Sequence, residues 1–392
     1  MIDFAGHPFT FELSKKFSQM GYEVHYLYNV AASGPKAHFV DIPNLYIEPL
    51  MLGSKFSKYS IVGRFMGELR TFWEIRKLIK KYPTDFVFFA NMPIITLTLS
   101  VRVLLSANIK FLYWLQDLHG EAILRTKNLN YFIAKMAWAL GNIIRFLEIK
   151  SLKAASKVVC ITQDFIPILE KYGIDRDRMT VIPNWSPIEE ISLFEKSNEW
   201  SEKNGLSNTF NIVYSGTLGL KHNPKLFLEL SDYFKKYEQV RIVVISEGLG
   251  AQFLHENGKD YTNLKVMDFV NFKTLSFILS SSDILVAILE KEAGIFSVPS
   301  KVLTYLCAEK PLVISIPKDN LAAKLVNQIE GGIVVEPDNI QEFLDAVEKL
   351  YQDQTLREKY SKNARRYAEE NFEIEKVFGR FEQLTKDSIN SK

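Results

Sequence analysis

Short runs of apolar, β-branched and aromatic residues alternate along this chain with longer stretches in which apolar side chains recur every three or four positions. In the first half the runs predict strands at 22–28, 85–89, 109–114, 157–161 and 179–182. In the second half they predict strands at 211–214, 240–245, 263–267, 283–288, 311–315 and 332–335. Runs so continuously apolar suit strands buried on both faces, and the helical patterns between them supply the covers. The expected fold class is α/β, with two doubly wound parallel sheets whose carboxyl ends face a central cleft. The first domain is expected over residues 1–185, a polar, turn-rich linker over 186–208, and the second domain over 209–372. A final helix over 373–392 has no strand to follow and is expected to cross back to the first domain.

Length agrees with two domains, because 392 residues exceed what one hydrophobic core organises. Composition, 47% apolar and 24% charged, excludes a disordered or fibrous chain. No window approaches the roughly 18 uninterrupted apolar residues of a membrane span, and the amino terminus has no secretory pattern. Cys160 and Cys307 sit in apolar stretches without metal-type spacing and read as buried thiols in a reducing compartment. A small net charge of +2 hides an asymmetry, +8 over residues 1–185 and −6 over the rest. A basic first half suits an anionic membrane surface, a phosphorylated acceptor or nucleic acid; a scatter of solvated lysines fits equally well.

The stretch 130–153 carries Phe132, Ile133, Met136, Leu140, Ile143, Ile144 and Leu147 on a broad apolar face, with Lys135, Asn142 and Arg145 opposite. It predicts a helix that lies either in a membrane interface or between the sheet and a neighbouring helix. At the start, only Met1 to Phe4 precede the loop Gly6-His7-Pro8, fewer than the five or six residues of an ordinary central strand. Taken alone, this predicts a coding start further upstream.

Candidate chemistry gathers where strands end. The strand at 211–214 runs into Ser215-Gly216-Thr217-Leu218-Gly219-Leu220-Lys221, a glycine turn before a helix, where backbone amides and a lysine can hold a phosphate. A second turn, Ser246-Glu247-Gly248-Leu249-Gly250, lacks the third glycine and downstream acid of a dinucleotide site, which disfavours a dehydrogenase. Between 290 and 305, Ser297 is a possible cap, Pro299 suits a first helical turn, and Ser300 and Lys301 can meet an anion. In the first half the strand at 109–114 leads into Gln116-Asp117-Leu118-His119. There Asp117 or His119 can accept a proton or orient a hydroxyl, or simply cap a turn.

In this order, Gly6-His7-Pro8-Phe9, Gln116-Asp117-Leu118, Ile161-Thr162-Gln163-Asp164, Val181-Ile182-Pro183-Asn184, Tyr214-Ser215-Gly216-Thr217 and Ser297-Val298-Pro299-Ser300-Lys301 resemble the family 4 retaining glycosyltransferases of GT-B fold. The likeness is nearest the branch that assembles bacterial O-antigen, capsule and colanic acid units. It implies Rossmann-like domains, a nucleotide-sugar donor (UDP by expectation) on the second and a lipid-linked or saccharide acceptor on the first. It implies no cofactor and no metal, a peripheral place at the inner membrane face, and no nucleic acid partner. By position, Gly216 and Lys221 would line the donor phosphates, Glu247 and Gly248 the nucleotide, Phe269 and Val270 the base, and Ser297, Ser300 and Lys301 the diphosphate. Gln116 and Asp117 would face the reacting sugar, with His7 and His119 on the acceptor side. The chain departs from the family at its pair of glutamates eight apart. Thr304 and Phe296 occupy those places, Glu292 is the nearest acid, and the usual arginine after the glycine turn is replaced by Thr217 or Leu218. A sugar-nucleotide 2-epimerase of the same fold, or a catalytically silent binding partner, stays open on these residues.

Overall fold

The structure is a computed structural model that describes residues 1–30, 41–50, 61–124, 131–219, 222–270, 272–291 and 299–390. Its contacts form two units, Met1–Asn184 with Ile374–Lys392, and Trp185–Glu373.

The first unit is built on a seven-stranded sheet in the order β3-β2-β1-β4-β5-β6-β7. The strands are β1 Ile2–Asp3, β2 Val24–Asn29, β3 Leu45–Leu50, β4 Phe86–Ala90, β5 Lys110–Leu115, β6 Lys157–Cys160 and β7 Met179–Val181. Every pairing is parallel. Strand β3 was not foreseen from the pattern. It holds Glu48 and Pro49, both unfavourable in a central strand and tolerated on an edge, where β3 lies. The order reverses between β1 and β4, and there the carboxyl ends of an open parallel sheet leave a crevice.

The helices are α1 Pro8–Gln19, α2 Ile61–Lys81, α3 Ile94–Ser106, α4 His119–Leu124, α5 Tyr131–Ala154 and α6 Ile166–Lys171. Right-handed crossovers place α1, which leads the chain one way along the sheet, on one face, and α2, α3 and α5, which lead it back, on the other. Accordingly α3 packs against both α2 and α5. The last helix of the chain, Ile374–Asn390, lies against α1 and β5 as part of this unit. Its Phe381 is fully buried against Trp114 and Phe88, a burial worth about 1.5 to 3 kcal/mol. Tyr22 donates a hydrogen bond to Glu382 at 2.8 Å.

The second unit carries a six-stranded parallel sheet in the order β10-β9-β8-β11-β12-β13. Its strands are β8 Phe210–Ser215, β9 Val240–Ser246, β10 Leu264–Asp268, β11 Ile284–Ile288, β12 Leu312–Ser315 and β13 Gly332–Val335, each within two residues of the expected run. Its helices are α7 Glu199–Lys203, α8 Lys225–Phe234, α9 Leu249–Asn257, α10 Phe272–Ser280, α11 Ser300–Leu306, α12 Leu321–Gln328, α13 Ile340–Gln352 and α14 Gln354–Asn371; the last helix, α15, is Ile374–Asn390. Ile212, Tyr214, Val244, Val286, Val313 and Phe343 belong to one continuous core.

The stretch expected as a linker is instead folded with this unit. Ile191, Trp200 and Leu206 are buried. Asn198 and Ser201 form a reciprocal capping box at the start of α7, and Lys196 pairs with Asp283 at 2.5 Å. The stretch reads as polar because its few large apolar residues fall at irregular spacing. Ile191, Trp200 and Leu206 nevertheless find places in the core, whereas Leu193 and Phe194 stay exposed.

Candidate functional site

Two turns at the carboxyl ends of β8 and β9 are knitted into one surface. The Leu218 amide donates to the Glu247 carbonyl at 3.0 Å and to Ser246 Oγ at 3.1 Å, and the Gly250 amide donates back to the Leu218 carbonyl at 2.9 Å. Ser246 Oγ in turn donates to the Gly216 carbonyl at 2.7 Å. Gly216 has φ +144° and Gly248 φ +97°, conformations that favour glycine. A Cβ on Gly248 would stand 2.9 Å from the Leu218 carbonyl oxygen, so this turn admits no side chain. Glu247 is exposed and accepts from Thr217 Oγ1 at 3.2 Å. Register pairs Asp268 with Ser246, which puts the exposed Phe269 and its neighbour Val270 at the same end of the sheet.

Helix α11 is pinned to the end of β8 by two side chains one turn apart. Tyr305 Oη accepts from the Ser215 amide at 2.8 Å and donates to the Ser215 carbonyl at 2.9 Å. Lys301 Nζ donates to Tyr214 Oη and lies 4.1 Å from the centre of its ring. Tyr214 Oη donates to the Thr217 carbonyl at 2.9 Å. A Cβ on Gly216 would meet Lys301 Cε at 2.8 Å, so the glycine is what lets the lysine lie over the turn. No carboxylate pairs with Lys301 among the described residues, and burial pushes its ammonium down to about 7. A cation so placed gains most from an arriving anion.

Pro299 occupies the N-cap position of α11, one residue outside the first turn where the sequence suggested it, and Ser300 begins the helix. The Val302 amide bonds the Pro299 carbonyl in a tight three-residue turn, which shifts the helix start. Thr304, at the place of the family's second glutamate, hydrogen-bonds Ser186 at 3.1 Å. Lys221, Glu292 and Ser297 lie outside the described residues.

Four of the predicted residues fall in the first unit. Gln116, after β5, exchanges amide hydrogen bonds with Asn184 at 2.5 and 3.2 Å, so its orientation is set by the strand end beyond β7. His119 opens α4, whose first amides, His119 N and Gly120 N, donate to the fully buried Glu148 carboxylate of α5 at 3.0 and 3.3 Å. That contact gives the segment a capping role. Asp117 lies near enough to His7 for its charge to raise the imidazole pKa.

His7 itself is held by a group the motif reading missed. Asp3, fully buried at the end of β1, accepts from the amides of Ala5 at 3.1 Å and His7 at 2.6 Å, from Thr10 Oγ1 at 2.5 Å, and from His7 Nδ1 at 3.2 Å. Tyr26 Oη lies 2.9 Å from Thr10 Oγ1 and can donate to it, which leaves the threonine hydrogen for Asp3. Burial alone would raise the Asp3 pKa; the charge and hydrogen bond of His7, with bonds from Thr10 and the backbone, hold it below the ordinary value. Burial would lower the His7 pKa, but Asp3 and then Asp117 raise it. Nδ1 faces Asp3, which leaves Nε2 for anything that binds here. The available signal was an acid inside an apolar run, Ile2-Asp3-Phe4, followed four residues later by a histidine.

A glycosyltransferase family 4 model matches residues 8–190, and a glycosyl transferases group 1 model matches residues 196–367. The chain belongs to the family 4 type of glycosyltransferases. The uncharacterized glycosyltransferase MJ1069 of Methanocaldococcus jannaschii is 25% identical to it over 283 residues, 69% of this chain and 67% of that one. Among solved structures, HepE of Anabaena in complex with UDP superposes with a TM-score of 0.67 at 14% identity, over 98% of each chain. WaaG, a glycosyltransferase involved in lipopolysaccharide biosynthesis, superposes with a TM-score of 0.70 at 16% identity, over 96% of this chain and 97% of that one. Those likenesses bear on the fold, and the two parallel-sheet units are those of a GT-B glycosyltransferase. The group 1 match spans the turns at Gly216 and Gly248 and the whole of α11. The family 4 match spans Gln116, Asp117 and His119 and begins one residue after His7.

Proposed function

We propose that this glycosyltransferase moves a hexosyl group from a UDP-sugar to a lipid-linked or saccharide acceptor, with retention, in the assembly of a bacterial surface polysaccharide at the inner membrane face. The observation that carries the donor side is Lys301, a partly buried ammonium lying over the Gly216 turn with no carboxylate beside it among the described residues. Its charge would be restored by the donor diphosphate. As the bond to the sugar breaks, negative charge grows on the departing phosphate, and a fixed cation there stabilises the transition state more than the ground state. HepE has been solved with UDP and with UDP-glucose, which supports a uridine donor. This reading calls for no metal, because Lys301, and by resemblance Lys221, supply the positive charge. Glu247, Gly248, Phe269 and Val270 are assigned to the nucleoside and Ser300 to the diphosphate. On the acceptor side, Asp117 and His7 are assigned to orienting the acceptor hydroxyl, with Gln116 toward the sugar.

Incubation of the pure protein with UDP-, GDP- and dTDP-sugars tests the reading, each with and without a polyprenyl-diphosphate saccharide. The expected result is turnover of a UDP-sugar only when acceptor is present. Conversion of donor without acceptor would indicate epimerase chemistry, and absence of turnover and binding with every donor would overturn the assignment.

A further inference from the structure

We propose that the outer face of α2, α3 and α5 is a docking surface for an anionic lipid bilayer. On α5, Met136, Leu140, Ile143 and Phe146 succeed one another at intervals of four, three and three residues and so share one side of the helix. They are 46 to 57% exposed. The apolar side of this helix therefore faces outward, whereas an apolar side facing the sheet would have left these residues in the core. Phe65, Met66 and Trp73 of α2 and Leu105 of α3 are exposed to a similar degree, and α3 packs between α2 and α5. No helix among the described residues is long and apolar enough to cross a membrane, so this face would lie on one.

Charge selects the occupant. Arg70, Lys77 and Lys80 of α2, Arg102 of α3, and Lys135 and Lys150 of α5 are exposed on these helices. Of the three acids in the same helices, Glu68 and Glu148 are buried. Each turns inward to accept from the first amides of a neighbouring helix, Glu68 from Ile95 N and Glu148 from His119 N and Gly120 N. Only Glu74 reaches solvent, and it bonds Lys77 at 2.8 Å. The cations also sit on the aromatic groups. Lys150 Nζ is 4.5 Å from the Phe146 ring centre, and the Arg76 guanidinium is 4.9 Å from that of Trp73. An apolar ring entering the acyl boundary would thus carry its cation to the phosphate level. A second copy docking through the same face would set these cations against themselves.

The proposal does not depend on the transfer reaction. Flotation of the full chain with vesicles of phosphatidylglycerol and phosphatidylcholine in equal parts, against phosphatidylcholine alone, measures it directly. Binding is expected to the anionic vesicles, to weaken as salt rises, and to fall by roughly tenfold or more in the triple variant L140S/I143S/F146S, with its melting temperature unchanged. The charge variant K77E/K150E is expected to lose several-fold in affinity for anionic vesicles only. Absence of wild-type binding, or undiminished binding by the triple variant, would overturn the proposal; so would a wild-type dimer that the triple variant splits. UDP calorimetry on the same proteins separates the two readings. Vesicle binding without UDP binding sinks the donor assignment alone, and the reverse sinks the docking surface, and with it the membrane placement, while the donor assignment stands.

Discussion

Replacing Lys301 by Met keeps the aliphatic stem and removes the charge. In the ligand-free protein the ammonium pKa is pushed from 10.5 down to about 7 by burial. Each pKa unit corresponds to about 1.4 kcal/mol, which sets an upper bound of about 5 kcal/mol on the cost of holding Lys301 charged below pH 7. Solvent still reaches the side chain, so a gain of about 1 to 3 kcal/mol in the Met variant is the working expectation. The sign follows from linkage. With the folded pKa below the unfolded one, the unfolded chain binds more protons between about 7 and 10.5, and wild-type stability rises with pH across that window. Lys301→Met should remove this rise and melt higher than wild type at and below neutral pH. A bound diphosphate reverses the preference by favouring the ammonium. UDP binding should therefore take up a proton, weaken as pH rises above 7, and be about 1.5 to 3 kcal/mol poorer in the variant. Melting curves across pH, with titration calorimetry in buffers of different ionisation enthalpy, measure both effects. A variant that melts lower than wild type and binds UDP unchanged, without proton uptake in either protein, would refute the reasoning.

Gly216→Ala places a methyl group 2.8 Å from Lys301 Cε at a φ of +144°; the lysine must move, and UDP affinity should fall by about tenfold while the fold persists, as calorimetry and circular dichroism would show. Asp3→Asn should cost about 3 kcal/mol. Asp3 contributes above its unfolded value of 3.8 and His7 below its unfolded value of 6.5, so the gap to wild type should be widest between about pH 4 and 6.5. It should narrow as Asp3 protonates on acidification and as His7 deprotonates above its raised pKa; a gap independent of pH in urea titrations would remove His7 from the account. Asp117→Asn should abolish transfer while UDP affinity and melting temperature hold, and loss of the fold instead would assign Asp117 to capping.

How much of the site is visible in a sequence depends on where its partners come from. All six strands of the second sheet are legible because each is dominated by apolar, largely β-branched residues with few polar interruptions, and the glycine turns follow from those strand ends. Strand β3 is not, since Glu48 and Pro49 interrupt it and only its edge position excuses them. The pinning of α11 is equally hidden, because Tyr214 and Tyr305 read as ordinary core aromatics. Their hydroxyls meet Lys301 and the Ser215 backbone only when residues nearly ninety positions apart come together. The likeness of Gln116 and Asp117 to the family's reacting-sugar residues carries no hint that Gln116 is clasped by Asn184.

Two charges near strand ends, Asp3 closing β1 and Lys301 beyond β8, differ in how far the fold compensates their burial. Asp3 receives two backbone amides, a threonine hydroxyl and an imidazole, and with those donors its carboxylate is held below its ordinary pKa although it is fully buried. Lys301 receives, among the described residues, one tyrosine hydroxyl and the face of that tyrosine ring, and its pKa falls instead. The fold has met the desolvation cost of the first charge and left that of the second. A buried charge left uncompensated persists only where something gained elsewhere outweighs it. On the proposed reading an anion that completed the shell of Lys301 would be that gain, while Asp3 holds His7 through its amide and ring.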